Sequence, residues 1–329
     1  MSDTVRAVML DPDWFGDVDA ERRHFEDLLD EPVEVAGIDC EESEIGDAVG
    51  EVDLLLSHYT GVSAEAMDAT GCQVISRYAT GIDGIDIEAA TDHGVRVTRV
   101  PTYCNDEVGT HIVSLAMALV RGLPMFDADC EASNWDWTAA APVRPPEEQT
   151  FGFLAFGNKA QAAAERASAL GFDICAHDPY LDDSQLRDLG AEPVDFEGLL
   201  DSVDVLSMNT PLTDETEGML DADALARLDE DCVLVNTSRG KIIEEDALVA
   251  ALENDELRGA GLDVLAQEPP EPDNPLLGRD DTIVTPHAAW YSEGAVERVR
   301  RRGTETACAA FRGETVDGVV NPEAFENRP

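Results

Sequence analysis

Residues 151–179, FGFLAFGNKAQAAAERASALGFDICAHDP, decide how the rest of the chain is read. The apolar run Phe151-Gly152-Phe153-Leu154-Ala155-Phe156 has the length of one buried strand. A turn at Gly157-Asn158-Lys159 leads into an alanine-rich segment, Ala160 to Leu170, with the length and propensity of a helix that stops at Gly171. A second apolar run, Phe172 to Ala176, ends at His177-Asp178-Pro179. Strand, turn, helix and strand in this order predict a βαβ unit whose helix N-terminus presents backbone N–H groups to an anion.

The spacing matches the dinucleotide fingerprint G-x-G-x-x-G/A, with an acid about 20 residues beyond it. Ala155, Gly157 and Ala160 occupy the three positions, and Asp178 is the acid. The middle glycine lets the backbone approach a pyrophosphate, whereas alanine at the first position departs from the pattern and loosens the tight turn. A plain βαβ crossover with a small-residue packing contact fits the same residues. An acid at the end of the second strand accepts from both ribose hydroxyls and repels a 2′-phosphate, so a dinucleotide site here takes NAD rather than NADP.

The chain has 329 residues, enough for two domains with separate cores. Its 70 acidic residues against 22 basic ones leave a net charge of −48, yet 43% of residues are hydrophobic, which argues for a folded protein. Self-repulsion at this density is costly where screening is weak, and lysine occurs only at positions 159 and 241. Both features fit a halophilic protein working in a cytoplasm of multimolar salt. No basic stripe is present to neutralise phosphates, which argues against nucleic-acid binding. Seven scattered cysteines without a C-x-x-C pair read as reduced thiols of a cytoplasmic protein, with no metal site. No apolar run approaches the length of a membrane span, and the N-terminus lacks the architecture of a signal peptide.

Before the central unit, strands are expected at Val5–Leu10, Val33–Ala36, Val52–Ser57, Val74–Ser76 and Val95–Val97, with helices between them. Such alternation implies a doubly wound parallel sheet. Arg77-Tyr78-Ala79-Thr80-Gly81-Ile82-Asp83 follows a strand end, where the amides of Thr80 and Gly81 can hold a small carboxylate; an ordinary turn fits equally. Asn105 to Arg121 reads as a long helix capped by Asn105, with His111 as a structural histidine on its flank. Residues 122–150 read as an irregular connector whose Trp135 and Trp137 pack in a subunit interface. After Pro179, strands are expected at Val203–Ser207, Cys232–Val235, Gly261–Val264 and Thr282–Val284, all delivering polar loops to one rim. A last helix, roughly Ser292 to Arg312, packs back on the first domain.

Arg239, Glu268 and His287 stand at consecutive strand ends on that rim. A carboxylate beside an imidazole fixes its tautomer and favours its charged form, which makes a tuned proton donor. A guanidinium beside them offers a planar fork for a carboxylate and a carbonyl oxygen. With a nicotinamide, these parts suit hydride transfer between an alcohol carbon and a carbonyl. Singly, each has a bland structural reading.

SMNTPLTDET (207–216), VNTSRGKIIEEDAL (235–248), GLDVLAQEPP (261–270) and TPHAAWYSEGA (285–295), with the 151–179 unit, resemble the D-isomer-specific 2-hydroxyacid dehydrogenase family. ISRYATGIDGIDIEAATDHG (75–94) and PTYCNDEVGTH (101–111) are similar to its substrate-domain loop and interdomain helix. HAAWYSE (287–293) and TYCNDEV (102–108) look most like the branch containing the C-terminal-binding-protein corepressors. The resemblance implies a Rossmann-type NAD-binding domain, 101–289, inserted in a flavodoxin-like substrate domain, 1–100 plus 290–329. It implies His287 as acid/base, Glu268 as its partner and Arg239 as substrate anchor. Thr80, Gly81 and Trp290 would line the substrate site. Gly157, Asn158, Lys159, Asp178, Thr210, Pro211, Thr237 and Asp263 would contact NAD, with Asp263 on the nicotinamide carboxamide. A homodimer paired through the cofactor domain is also implied. The leading expectation is interconversion of a small 2-oxo acid and its D-2-hydroxy acid. The alternatives are an NAD-sensing regulatory protein and, more weakly, formate oxidation, whose enzymes commonly carry Gln where Glu268 stands.

Overall fold

Strands form where the sequence runs apolar without alternation, because central strands of a parallel sheet are covered on both faces. The computed structural model describes residues 4–325. The chain divides into two units, Met1–Tyr103 with Ser292–Pro329, and Cys104–Tyr291.

In the first unit β1 (Val5–Met9), β2 (Val33–Gly37), β3 (Leu54–Ser57), β4 (Val74–Arg77) and β5 (Arg96–Arg99) lie in the order β2-β1-β3-β4-β5, every pairing parallel. β3 and β4 are buried along their whole length. The strand order reverses between β1 and β3, so the loops leaving these two strands flank the position where such sheets take ligands. There the Asp11 carboxylate, 5% exposed, accepts from the amides of His58, Tyr59 and Thr60 at 2.6, 3.1 and 2.9 Å. The helix Glu293–Phe311 packs on β4, β5 and the helix Asp19–Leu28 of the same unit. Gly303 is required on it, because a Cβ there would stand 2.3 Å from the Tyr78 ring. Around that contact the Tyr78 hydroxyl meets the Thr304 hydroxyl at 2.8 Å, and Ser76 donates to the Gly303 carbonyl at 3.0 Å. Arg300 donates to both oxygens of the fully buried Glu21 carboxylate at 2.8 and 2.6 Å.

The second unit carries β6 (Thr150–Leu154), β7 (Asp173–His177), β8 (Glu192–Pro193), β9 (Val205–Met208), β10 (Val233–Asn236), β11 (Gly259–Leu262) and β12 (Thr282–Val284). They form one parallel sheet in the order β12-β11-β10-β9-β6-β7-β8, which reverses between β6 and β9. The long helix Asn105–Val120 packs on β10, β11 and the helix Asn158–Ala169. The two helices approach closely at Gly109, where a Cβ would lie 2.8 Å from that of Ala162. The alanine-rich sequence serves this contact: Ala160, Ala163, Ala164 and Ala167 are all buried. The opposite face of the sheet is filled by leucines including Leu199, Leu206, Leu234 and Leu248.

Several local expectations are corrected. The helix after β6 starts at Asn158 rather than Ala160, with Gly157 as its N-cap. Asn105 is the first residue of the long helix and not its cap; Cys104 holds that position without a side-chain bond, because the turn through 101–104 runs straight into the helix. Residues 122–150 are not irregular throughout, since Leu123–Glu131 is a helix restarted by Gly122 at φ 62° with a proline in its first turn. None of its residues is buried, so it shows no apolar period by which to be recognised. β11 ends at Leu262, which puts Asp263 just past the strand. Among the described residues no single helix is long and apolar enough to cross a membrane.

Candidate active site

His287 follows β12 through Thr285-Pro286 and takes a left-handed backbone conformation, φ 50°. Its amide donates to the carbonyls of Asp263 and Thr285, both at 2.9 Å. Few non-glycine residues occupy this region, although histidine enters it more readily than most. The ring Nδ1 lies 2.7 Å from Glu268 Oε2. A carboxylate only accepts, so Nδ1 is the donor and Nε2 is the atom that gains and loses a proton. Burial pushes the Glu268 carboxyl up, but the His287 hydrogen bond and charge, the Leu265 amide and the Arg239 guanidinium together hold it below its ordinary value. His287 and Glu268 are each about one-third exposed, so this pair opens to solvent.

The Arg239 loop is built by Asn236, the last residue of β10, which is fully buried. Its Nδ2 donates to the Arg239 carbonyl at 2.9 Å, while its Oδ1 accepts from the Ser238 amide and hydroxyl at 3.0 and 2.8 Å. Gly240 then lies backbone to backbone against the Glu268 loop: a Cβ would fall 1.9 Å from the Leu265 carbonyl carbon and 2.4 Å from the Ala266 nitrogen. Glu245 fixes that second loop, accepting from the Ala266 amide at 3.1 Å and the Asn274 side chain at 2.7 Å. The separation of Arg239 from Glu268 is therefore set by main chain. Sequence reading singled out neither Gly240 nor Glu245, although both lie in the 235–248 stretch with Arg239.

Asp263, 1% exposed, spends its carboxylate on the loop that carries His287. Oδ1 accepts from the Thr285 hydroxyl at 2.6 Å and the Ala288 amide at 2.8 Å; Oδ2 accepts from the Ala289 amide at 2.9 Å. His111 meets the same Thr285 hydroxyl at 3.0 Å.

The dinucleotide loop begins at Ala155, which sits at φ 65°. Its amide donates to the His177 carbonyl at 2.8 Å, and the next amide, Phe156, donates to Asp178 Oδ2 at 2.8 Å. Asp178 Oδ1 takes the Tyr180 amide at 2.9 Å, so the acid at the end of β7 is tied to the loop after β6. Gly157 is exposed with an ordinary φ of −72°, and a Cβ on it would meet nothing of the chain within 4 Å. The fold therefore does not demand glycine there; what glycine provides is open space before the first-turn amides of the helix Asn158–Ala169. Those amides have no acceptor within the helix, and a pyrophosphate fits them. Asn158 is exposed and Lys159 half-buried beside them. Thr210 and Pro211 follow β9 and Thr237 follows β10, on the edge where β6 ends.

In the first unit Thr80 and Gly81 follow β4, half-buried. Among the described residues neither of their amides donates to another group. Arg77, by contrast, is a buried clamp, donating to the Ser57 hydroxyl at 2.7 Å and the Thr60 carbonyl at 3.0 Å. Trp290 is 8% exposed and meets Tyr291 edge-on at 5.8 Å. Trp135 and Trp137 are 91% and 84% exposed. No group of three or more metal-ligating side chains occurs among the described residues.

Residues 113–289 match the family model described as D-isomer specific 2-hydroxyacid dehydrogenase, NAD binding domain. A glyoxylate reductase of Korarchaeum cryptofilum (strain OPF8) is 34% identical over 287 residues, covering 85% of this chain and 86% of that protein. A D-3-phosphoglycerate dehydrogenase of Mycobacterium bovis is 33% identical over 296 residues, which is 89% of this chain but 56% of that protein. The chain thus spans little more than half the length of the phosphoglycerate dehydrogenase it matches. Among solved structures, the TT0316 protein from Thermus thermophilus aligns with a TM-score of 0.84 at 28% identity, covering 96% of this chain and all of that one. D-Lactate dehydrogenase from Aquifex aeolicus, complexed with NAD and lactic acid, aligns with a TM-score of 0.83 at 23% identity, covering 96% of this chain and 99% of that one; this is a likeness of fold.

Proposed function

The chain belongs to the D-isomer specific 2-hydroxyacid dehydrogenase family, NAD-dependent enzymes acting on CH–OH donors, and from that premise we propose that it reduces a small 2-oxo acid to its D-2-hydroxy acid. The observation that carries this reading is the 2.7 Å bond between His287 Nδ1 and Glu268, whose carboxyl is held below its ordinary value chiefly by that histidine, with the Arg239 charge adding to the effect. NADH, when bound, supplies the hydride. The Arg239 fork grips the carboxylate and keto oxygen of the substrate, aligning the carbonyl carbon. His287 Nε2 gives its proton to the carbonyl oxygen as that oxygen gains charge, and Glu268 holds the ring in register through both charge states. In the reverse direction the same atom takes the hydroxyl proton.

Gly157, Asn158 and Lys159 would hold the pyrophosphate of NAD and Asp178 its adenosine ribose, with Thr210, Pro211 and Thr237 along the same edge. The amides of Thr80 and Gly81 are proposed donors to a substrate carboxylate, and Trp290 a pocket wall. Asp263 would face the nicotinamide carboxamide; its burial and its bonds to the 285–289 loop give it a supporting role as well. A homodimer through the second unit, with exposed Leu123, Trp135 and Trp137 in the contact, and a cytoplasmic, high-salt setting complete the proposal. Seven free cysteines and the charge of −48 support that setting.

The test is a panel of 2-oxo acids (glyoxylate, hydroxypyruvate, its phosphate and branched-chain oxo acids) with NADH and NADPH at molar KCl. Glyoxylate comes first because the 34%-identical relative bears that name. Turnover with NADH that falls at least about 10³-fold in His287→Ala supports the enzyme. Tight NADH binding with no turnover on any oxo acid overturns it in favour of an NAD(H)-sensing regulator.

A further inference from the structure

Resting on the reading of His287 as the acid/base, we propose that His111, acting through Thr285, is a positioning residue for the His287 loop. The directions of the hydrogen bonds follow from chemistry. Asp263 Oδ1 can only accept, so at 2.6 Å the Thr285 hydroxyl proton points to it. The hydroxyl oxygen is then left to accept, and the His111 Nε2 at 3.0 Å is its donor. The same Nε2 lies 3.6 Å from Asp263 Oδ1, so its N–H also faces the buried carboxylate. One chain therefore runs from an imidazole N–H to a hydroxyl, to a carboxylate, and on to the amides of Ala288 and Ala289, the two residues after His287.

Thr285 is held three ways: by its side chain, by its amide, which donates to the Leu262 carbonyl at 2.9 Å, and by its carbonyl, which accepts from the His287 amide at 2.9 Å. The loop needs such support. A non-glycine residue at φ 50° persists only where its surroundings over-determine it. His111 reaches the loop from the helix Asn105–Val120, whose burial against β10 and β11 makes it a rigid base. The ring lies in a groove with Thr110, Ala288, Ala289 and Tyr291, a quarter exposed, so truncating it opens no sealed cavity.

The decisive experiment places His111→Ala and His111→Gln in the full chain, each with His287 present and with His287→Ala. With His287 present, His111→Ala is expected to lower kcat about 10–100-fold while KM and NADH affinity stay within about twofold. Glutamine, whose amide N–H reaches the same hydroxyl, is expected to recover kcat to within about threefold of wild type. Without His287 the His111→Ala change is expected to cost less than about twofold, because the group it positions is gone. Equal losses in both backgrounds, a loss confined to cofactor affinity, or no loss overturns the proposal. Amide hydrogen exchange at Ala288 and Ala289, read without substrate, decides the network independently. Exchange about tenfold faster in His111→Ala but not in His111→Gln supports it, and unchanged protection refutes it. A wild type that reduces no 2-oxo acid sinks the dehydrogenase reading alone, and the exchange result still stands.

Discussion

Replacing Ala155 with glycine is expected to stabilise the protein, an uncommon outcome for a change at a ligand loop. Ala155 sits at φ 65°, where the Cβ of an L-residue crowds the following carbonyl at a cost of about 1–2 kcal/mol. Glycine removes that crowding but gives the unfolded chain more freedom, which takes back about 0.4–1 kcal/mol. The balance is a gain of about 0.5–1 kcal/mol. For a cooperative unit of this size it corresponds to a rise of about 1–4 °C in Tm. The loop should keep its shape, because the Phe156 amide stays tied to Asp178 and the residue 155 amide to His177. NADH affinity should therefore remain within about threefold. Valine at the same position adds β-branching in a region that β-branched residues strongly disfavour and should lose more than about 1 kcal/mol. Denaturation at fixed molar KCl without cofactor, with NADH titration of each folded variant, reads both quantities. A glycine variant less stable than wild type by about 0.4–1 kcal/mol, or a valine variant as stable as wild type, would show that residue 155 carries no strain.

Gly240→Ala should separate the Arg239 and Glu268 loops, since the new Cβ overlaps Leu265 main chain; turnover should fall about 10²-fold or more with stability lowered by about 1–3 kcal/mol, and near-normal kinetics would refute the contact. Arg300→Met strands the buried Glu21 carboxylate and should cost about 3–5 kcal/mol, with Glu21→Leu in the same chain restoring part of it; a loss below about 1 kcal/mol in the single variant would contradict the ion pair. Because the folded protein holds the Glu268 carboxyl below its ordinary value, the unfolded chain binds more protons in the window just beneath that value. The stability Glu268 contributes is thus present above the ordinary carboxylate range and lost as pH falls through it. Wild type minus Glu268→Gln should shrink as pH falls below about 5, and a difference that grows with acidity there would reverse the assignment.

Much of the second unit was legible because most of its strands are short apolar runs and several of its helices stop just before a glycine, as at Gly122, Gly171 and Gly190. The 151–179 unit and the strand at Thr282–Val284 follow directly from that pattern. Arg239, Glu268 and His287 were legible as strand-end residues with convergent chemistry, and the structure brings the last two into hydrogen bond. Less accessible was everything set by contact between distant loops. Nothing near Gly240 announces that Leu265 will lie against it, and nothing near Thr285 announces a histidine arriving from 174 residues away. The helix Leu123–Glu131 escaped for the opposite reason, since it buries nothing and leaves no periodic trace. Asp11 was silent too: an acid among 70 becomes notable only when three amides converge on it.

The first unit draws on both ends of the chain, and this bears on its synthesis. When residue 103 leaves the ribosome, the ring of Tyr78 has no Gly303 to lie against and the carboxylate of Glu21 has no cation to meet. Nearly 190 further residues must emerge before the segment Glu293–Phe311 can supply both. The intervening unit is continuous in sequence and can mature first during translation. Truncation ahead of residue 293 should consequently yield a nascent N-terminal piece that chaperones retain, while the middle of the polypeptide is already protease-resistant.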